Sequence, residues 1–222
     1  KEPLFFGTIM YLTKDKTLHA FRASTMVLED PRLFNEDASL IPISVDQLMD
    51  CVAEIYGKPV EKREVDFEAV HLRGRLECDA SGDARVDVRQ GQHLYWRRLA
   101  AVKEHMHLLI DADEDYSPYG DETLDVLVQE GVIGMLVTDG SPSSACQTEL
   151  IAEIAAMEVL WPLSLRREEI VEAKGNLGST FIQTIADRYK IPAAVVENML
   201  SRSYNKLALG PVRQPVDSCC DM

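Results

Sequence analysis

The stretch Val102-Lys103-Glu104-His105-Met106-His107-Leu108-Leu109-Ile110 sets the terms for reading the rest of the chain. In the H-E-x-x-H motif two histidines four residues apart stand one turn above each other on a helix and share a zinc ion. The glutamate beside the first acts as general base on the metal-bound water. Here Glu104 and His107 hold the second and fifth places, and Lys103 holds the first. A protonated lysine has no lone pair to give a metal. Leu99, Val102, Met106 and Leu109 recur at helical spacing and predict a helix over 97–110. On that helix Lys103 and His107 are neighbours, whereas His105 is rotated about 200° from His107 and does not repair the loss.

A second stripe, Leu150, Ile154, Met157 and Trp161, predicts a helix over 147–161. Both stripes must be buried on another element, so the two helices are expected to pack side by side next to a small antiparallel sheet, an α+β arrangement. Taken together, Arg98-Leu99-Ala100-Ala101-Val102-Lys103-Glu104 and Glu149-Leu150-Ile151-Ala152-Glu153-Ile154-Ala155-Ala156-Met157-Glu158-Val159-Leu160-Trp161-Pro162 resemble the ImmA/IrrE family of bacterial and phage metallopeptidases. In that family a segment R-F-T-x-A-H-E-x-x-H-L-L is followed by a helix E-x-x-A-x-x-F-A-x-x-L-L-M-P. Glu149 falls on the leading Glu, Ala152 and Ala156 on the small residues, and Trp161-Pro162 on the Met-Pro ending. The resemblance covers residues 42–205 and departs from the family at Lys103 and Ala155.

The resemblance implies zincin-like helices, a C-terminal helix-turn-helix-like segment, and a zinc ion held by His107 and Glu149 with Glu104 as general base. Family members, where understood, cleave a repressor and so switch on a regulon or prophage. The substitution of Lys103 points instead to a regulatory or interaction protein that keeps the frame without the zinc chemistry and acts on a protein partner such as a transcriptional repressor. In that case Lys103 is expected to form a salt bridge with Glu149 or Glu104, because an unpaired carboxylate between packed helices needs a cation or must protonate. Two alternatives stay open. One is an active zinc peptidase in which His93, Asp111 or Glu153 supplies the missing ligand. The other is a lysine-based catalyst in which Lys103 works beside Glu104.

With 222 residues, 46% of them apolar, the chain can bury a sizeable core. The longest apolar stretch, 126–137, is broken by Gln129-Glu130 and is too short to span a bilayer. Five cysteines, an odd number with no C-x-x-C, read as reduced thiols in a cytoplasmic protein. The net charge of −14 is concentrated: residues 104–158 hold 13 Asp and Glu and no Lys or Arg. Such a field disfavours nucleic acid and favours cations or basic peptide segments.

The expected organisation is an N-terminal hairpin extension over 1–41, a metallopeptidase-like domain over 42–162, a C-terminal helical segment over 163–210 and a flexible tail over 211–222. The hairpin is read from β-branched and aromatic residues in Leu4 to Thr13 and Thr17 to Leu28, around the turn Lys14-Asp15-Lys16. Ser44 caps a helix with a stripe of Val45, Leu48, Val52 and Ile55 that ends at Gly57 and Pro59. Strands are expected over Ala69 to Glu77 and Ala84 to Arg89. Asp111, Asp113, Asp115 and Glu122 fall on calcium-loop positions, but Tyr116 stands where that loop needs Gly, so an acidic connection is the better reading. A further helix is expected over Leu124 to Glu130. Thr180 to Tyr189 and Ala194 to Tyr204 form a helical pair whose mild basic balance argues against DNA readout and for a structural or protein-binding role.

Overall fold

A computed structural model of the chain describes residues 14–33, 42–68, 72–111, 144–202, 204 and 205. The calcium-loop positions beyond Asp111, the helix expected over Leu124 to Glu130, the strand Leu4 to Thr13 and the tail lie outside the described residues. The fold is α+β. Among the described residues are seven α-helices and a three-stranded mixed sheet, with a short 3-10 turn at Pro31–Leu33.

Helix α1, Lys14–Leu28, occupies the place where the second strand of a hairpin was expected. Thr17, Ala20, Ala23, Ser24 and Val27 are buried at helical spacing. They pack α1 against α4, Ser144–Leu160, inside the common core. The β-branched and aromatic content of 17–28 is therefore overridden by tertiary burial, and Lys14-Asp15-Lys16 is the first helical turn, not a hairpin turn. What is described of the expected extension belongs to the main core.

Helix α2, Val45–Tyr56, follows the expected signals: the Ser44 side chain accepts from the Gln47 amide, and Gly57 closes the helix in the left-handed region at φ 77°. The chain then forms β1, Val60–Val65, β2, Gly74–Cys78, and β3, Ala84–Arg89, in the order β1-β3-β2. β2 pairs with β3 antiparallel, but β1 pairs with β3 parallel, so the sheet is mixed where an antiparallel one was expected. β1 escapes a search for apolar alternation because Glu61-Lys62-Arg63-Glu64 are charged, as suits an edge strand. β2 starts later than expected, at Gly74.

Val86 and Val88 of β3 face Ala100 and Ala101 of α3, Leu94–Ile110, whose small side chains let the helix lie close on the sheet. On the other face Asp87, 1% exposed, is clamped by Arg63 at 3.1 Å and Arg75 at 3.0 Å. α3 packs on the sheet, α2, α1 and α4 at once, which buries it nearly all round and explains why its apolar stripe is less distinct than a surface helix would show. The expected pairing of α3 with α4 is present.

Beyond Pro162 come α5, Leu163–Glu172, which falls in the segment expected to be helical but was not placed individually, then α6, Ser179–Tyr189, and α7, Ala193–Leu200. α6 and α7 form the expected pair, the second ending at Leu200 and not at Tyr204, and they are joined at Lys190, which adopts φ 55° and whose backbone N–H donates to the Ala186 carbonyl to cap α6. Arg166, fully buried, donates to Glu158 at 2.8 Å and to the Trp161 carbonyl at 3.2 Å. The Tyr204 hydroxyl donates to the same Glu158 oxygen at 2.9 Å. Glu169 accepts from Trp161 Nε1 at 2.8 Å and pairs with Arg188. This network fastens the C-terminal helices to the end of α4. No helix among the described residues is long and apolar enough to cross a membrane.

Candidate functional site

The facing sides of α3 and α4 bring Lys103, Glu104, His107 and Glu149 together, with Asp111 at the end of α3. Helical geometry places Lys103 one turn before His107 on α3, and Glu149 one turn before Glu153 on α4. The Lys103 ammonium forms a salt bridge with Glu149 and a second contact with Glu104 Oε1 at 3.3 Å, as the sequence led us to expect. Burial works against the charge on Lys103, but Glu104 and Glu149 beside it outweigh that and raise its pKa well above the ordinary lysine value. The group is therefore cationic across the physiological range.

Glu104 is 4% exposed and rests on the backbone of β2. A Cβ placed on Gly74 would come within 2.8 Å of Glu104 Cγ, so any larger residue there would have to displace the Glu104 side chain from its place between sheet and helix.

His107 sits in the arrangement typical of an oriented imidazole. Its Nδ1 lies 2.9 and 3.0 Å from the two Asp111 oxygens and donates to that carboxylate, which turns Nε2 toward Glu149 Oε1 at 3.4 Å. Burial opposes a charge on His107, yet Glu149 and Asp111 prevail and raise its pKa above the ordinary value. Glu149 is the mirror case: burial would raise it, and Lys103 and His107 hold it below the usual carboxylate range. Glu153, next along α4, is pushed up to about 7 by burial and by the neighbouring Glu149 charge, against the pull of Lys103 and Arg73. Arg73 itself stacks over Trp96 at 3.5 Å.

His105 points the other way and is wholly buried. Its Nδ1 donates to the Ala101 carbonyl at 2.6 Å, and burial pushes its pKa down to about 4, so it is a neutral core residue. His93 is the N-cap of α3, bonded to the Tyr95 amide at 3.3 Å, at the opposite end of the helix from His107. Of the three substitutes weighed for the missing ligand, Asp111 orients His107 and Glu153 lies a turn beyond Glu149. Among the described residues no group of three or more His, Cys, Asp and Glu side chains is arranged to hold a metal. Zinc does not fit this set: Lys103 carries its own positive charge into the space between Glu104 and Glu149, which leaves only two side chains of ligating type facing each other across it, His107 and Glu149.

One participant, Asp111, was singled out from the sequence in other roles, as a substitute ligand or a calcium-loop residue, and another, Gly74, was not singled out. The role of Asp111 was legible in its spacing, four residues after His107 on the same helix, but the acidic run that follows it drew attention to calcium instead. Gly74 offered no signal, since its importance arises only when β2 lies against α3. No protein-family model matches the chain, and no curated protein matches it.

Proposed function

We propose that the chain is a regulatory or interaction protein built on an ImmA/IrrE metallopeptidase-like frame, and that it acts on a protein partner, such as a transcriptional repressor, by binding and not by hydrolysis. The observation that carries this reading is the Lys103 ammonium bracketed by Glu104 and Glu149. A peptidase of this type needs a Lewis acid to activate water and polarise the carbonyl. With the Lys103 ammonium against it, Glu104 is engaged in an ion pair, which opposes its use as a general base. Lys103 serves the nucleophile role no better, because its raised pKa keeps the amine protonated.

The contacts of the cluster tie α3 to α4, which supports a retained structural purpose. Placing like charges between packed helices is costly without compensation, and the lysine supplies that compensation within the chain. A regulator needs the frame and its surface; it does not need turnover. The test is binding against cleavage. The purified chain is mixed with helix-turn-helix repressors of its host and followed by size-exclusion chromatography and intact-mass spectrometry. A complex with an uncut repressor is expected. Repressor fragments whose formation stops with a zinc chelator or in Glu104→Gln would overturn the reading.

A further inference from the structure

We infer that Lys103 is a tethered cation, occupying a position its neighbours would otherwise offer to a divalent metal ion. This deepens the reading above and rests on its placement of Lys103, although not on any partner. The argument begins with His107. A metal-binding histidine characteristically donates one ring N–H to a carboxylate, which fixes its tautomer and aims the other nitrogen at the ion. Asp111 does this to His107 at 2.9 Å. Nε2 is then aimed into the cluster, lies 3.4 Å from Glu149 Oε1, and has no hydrogen-bond partner although the side chain is only 5% exposed. A neutral ring there would set a lone pair against a carboxylate oxygen, so the contact calls for a positive charge on the ring or beside it.

The Lys103 ammonium, which spans Glu149 and Glu104, supplies a positive charge beside that contact. The carboxylates and the imidazole thus already surround a cation, one attached to the backbone of α3. Shortening Lys103 to alanine removes the cation and leaves His107 Nε2, Glu149 and Glu104 facing a gap the size of the lost propylammonium, while Asp111 still orients the ring. Imidazole and carboxylate are the ligand types zinc accepts, and water can complete the shell. The lysine therefore does two things in one step: it neutralises the acids and closes the position to metal.

The experiment uses the full chain at neutral pH, with zinc chloride or EDTA as the added reagents. Thermal unfolding and native mass spectrometry are measured for the wild type, Lys103→Ala, and Lys103→Ala combined with His107→Ala. The wild type is expected to melt at one temperature with zinc or EDTA and to carry no zinc. Lys103→Ala is expected to melt lower, to recover several degrees with zinc, and to carry one equivalent, and the double variant to lose that recovery. Should Lys103→Ala fail to fold both with and without zinc, Lys103→His is measured in the same way and must carry one equivalent. Zinc on the wild type that His107→Ala removes would overturn the inference, as would the absence of zinc uptake by both Lys103→Ala and Lys103→His. Neither result depends on whether a repressor is bound or cut, so this failure is distinguishable from failure of the functional reading.

Discussion

At the C-terminal end of α4, Glu158 accepts from Arg166 and from the Tyr204 hydroxyl, all three being essentially out of water. Nearer its N-terminal end Glu149 meets Lys103 and His107, and here both partners of the salt bridge keep part of their surface, 22% and 27%. The first cluster uses a planar guanidinium that reaches a carboxylate and a carbonyl at once and stacks near Trp161 and Tyr204. The second uses a point charge on a flexible stem, and it leaves a ring nitrogen without a hydrogen bond. The contrast separates a fastening from a site. The Arg166 cluster joins helices, whereas the Lys103 cluster gathers an ammonium, two carboxylates and an imidazole in a space that keeps some access to water.

The largest effect should come from the fastening. Arg166→Ala leaves Glu158 buried beside Tyr204 with no cation, and we expect a loss of about 3–5 kcal/mol in chemical denaturation. Replacing Arg166 and Glu158 together by Met and Leu should recover most of it, because the desolvation cost of both charges disappears with them. If the single change cost less than Lys103→Ala, the contrast between the two clusters would be reversed.

Lys103→Ala comes next, with an expected loss of about 1–3 kcal/mol in the absence of added metal, smaller because the pair is partly solvated. Combined with Glu149→Ala, the loss should be less than the sum of the two single changes, since each variant removes the same interaction. Strict additivity in that double-mutant cycle would mean that the contact contributes nothing.

Protonation sharpens the comparison further. Glu153 has its pKa raised from 4.5 to about 7 in the folded state, so the folded protein holds that proton more tightly than the unfolded chain. The stabilisation this gives is complete below pH 4.5 and is lost as the pH rises to about 7. Glu153→Gln should therefore stabilise the protein by about 1–2 kcal/mol above neutrality, after allowance for partial exposure, and change little in acid. A loss of stability at pH 8 would contradict this. Glu149 runs in the opposite sense: its depressed pKa contributes stability above about 4.5 that fades as the pH falls through the folded-state value.

The smallest effect belongs to the sheet edge. Lys62 pairs with Asp46 at 3.1 Å, but the aspartate is 84% exposed, and Lys62→Ala should shift stability by no more than about 0.5 kcal/mol in urea denaturation.

How much of this the sequence disclosed follows from what each residue responds to. Ser44 and Gly57 act on their own backbone, so α2 was legible from them. Lys103, Glu104 and His107 were legible from their spacing on one helix, whereas the meeting of Lys103 with Glu149 was expected only from the resemblance to the metallopeptidase motifs. α1 was misread because Thr17, Ala20, Ser24 and Val27 gain their burial from α4, a partner more than a hundred residues away. β1 was missed because Glu61 to Glu64 show no apolar alternation: the strand is held by backbone pairing to β3 at the edge of the sheet. Gly74 was invisible for a related reason, since the need for an absent Cβ is set by Glu104 on another element.

The most direct test of the account is the charge and exchange behaviour of the Lys103 ammonium itself, read by nitrogen-detected NMR of lysine side chains. The account predicts a Lys103 resonance protected from solvent exchange, which stays protonated at a pH where exposed lysines have titrated and loses its protection in Glu149→Gln. A Lys103 that titrates with the exposed lysines and is unmoved by Glu149→Gln would show that the ammonium is not held between Glu104 and Glu149, and the account would fall.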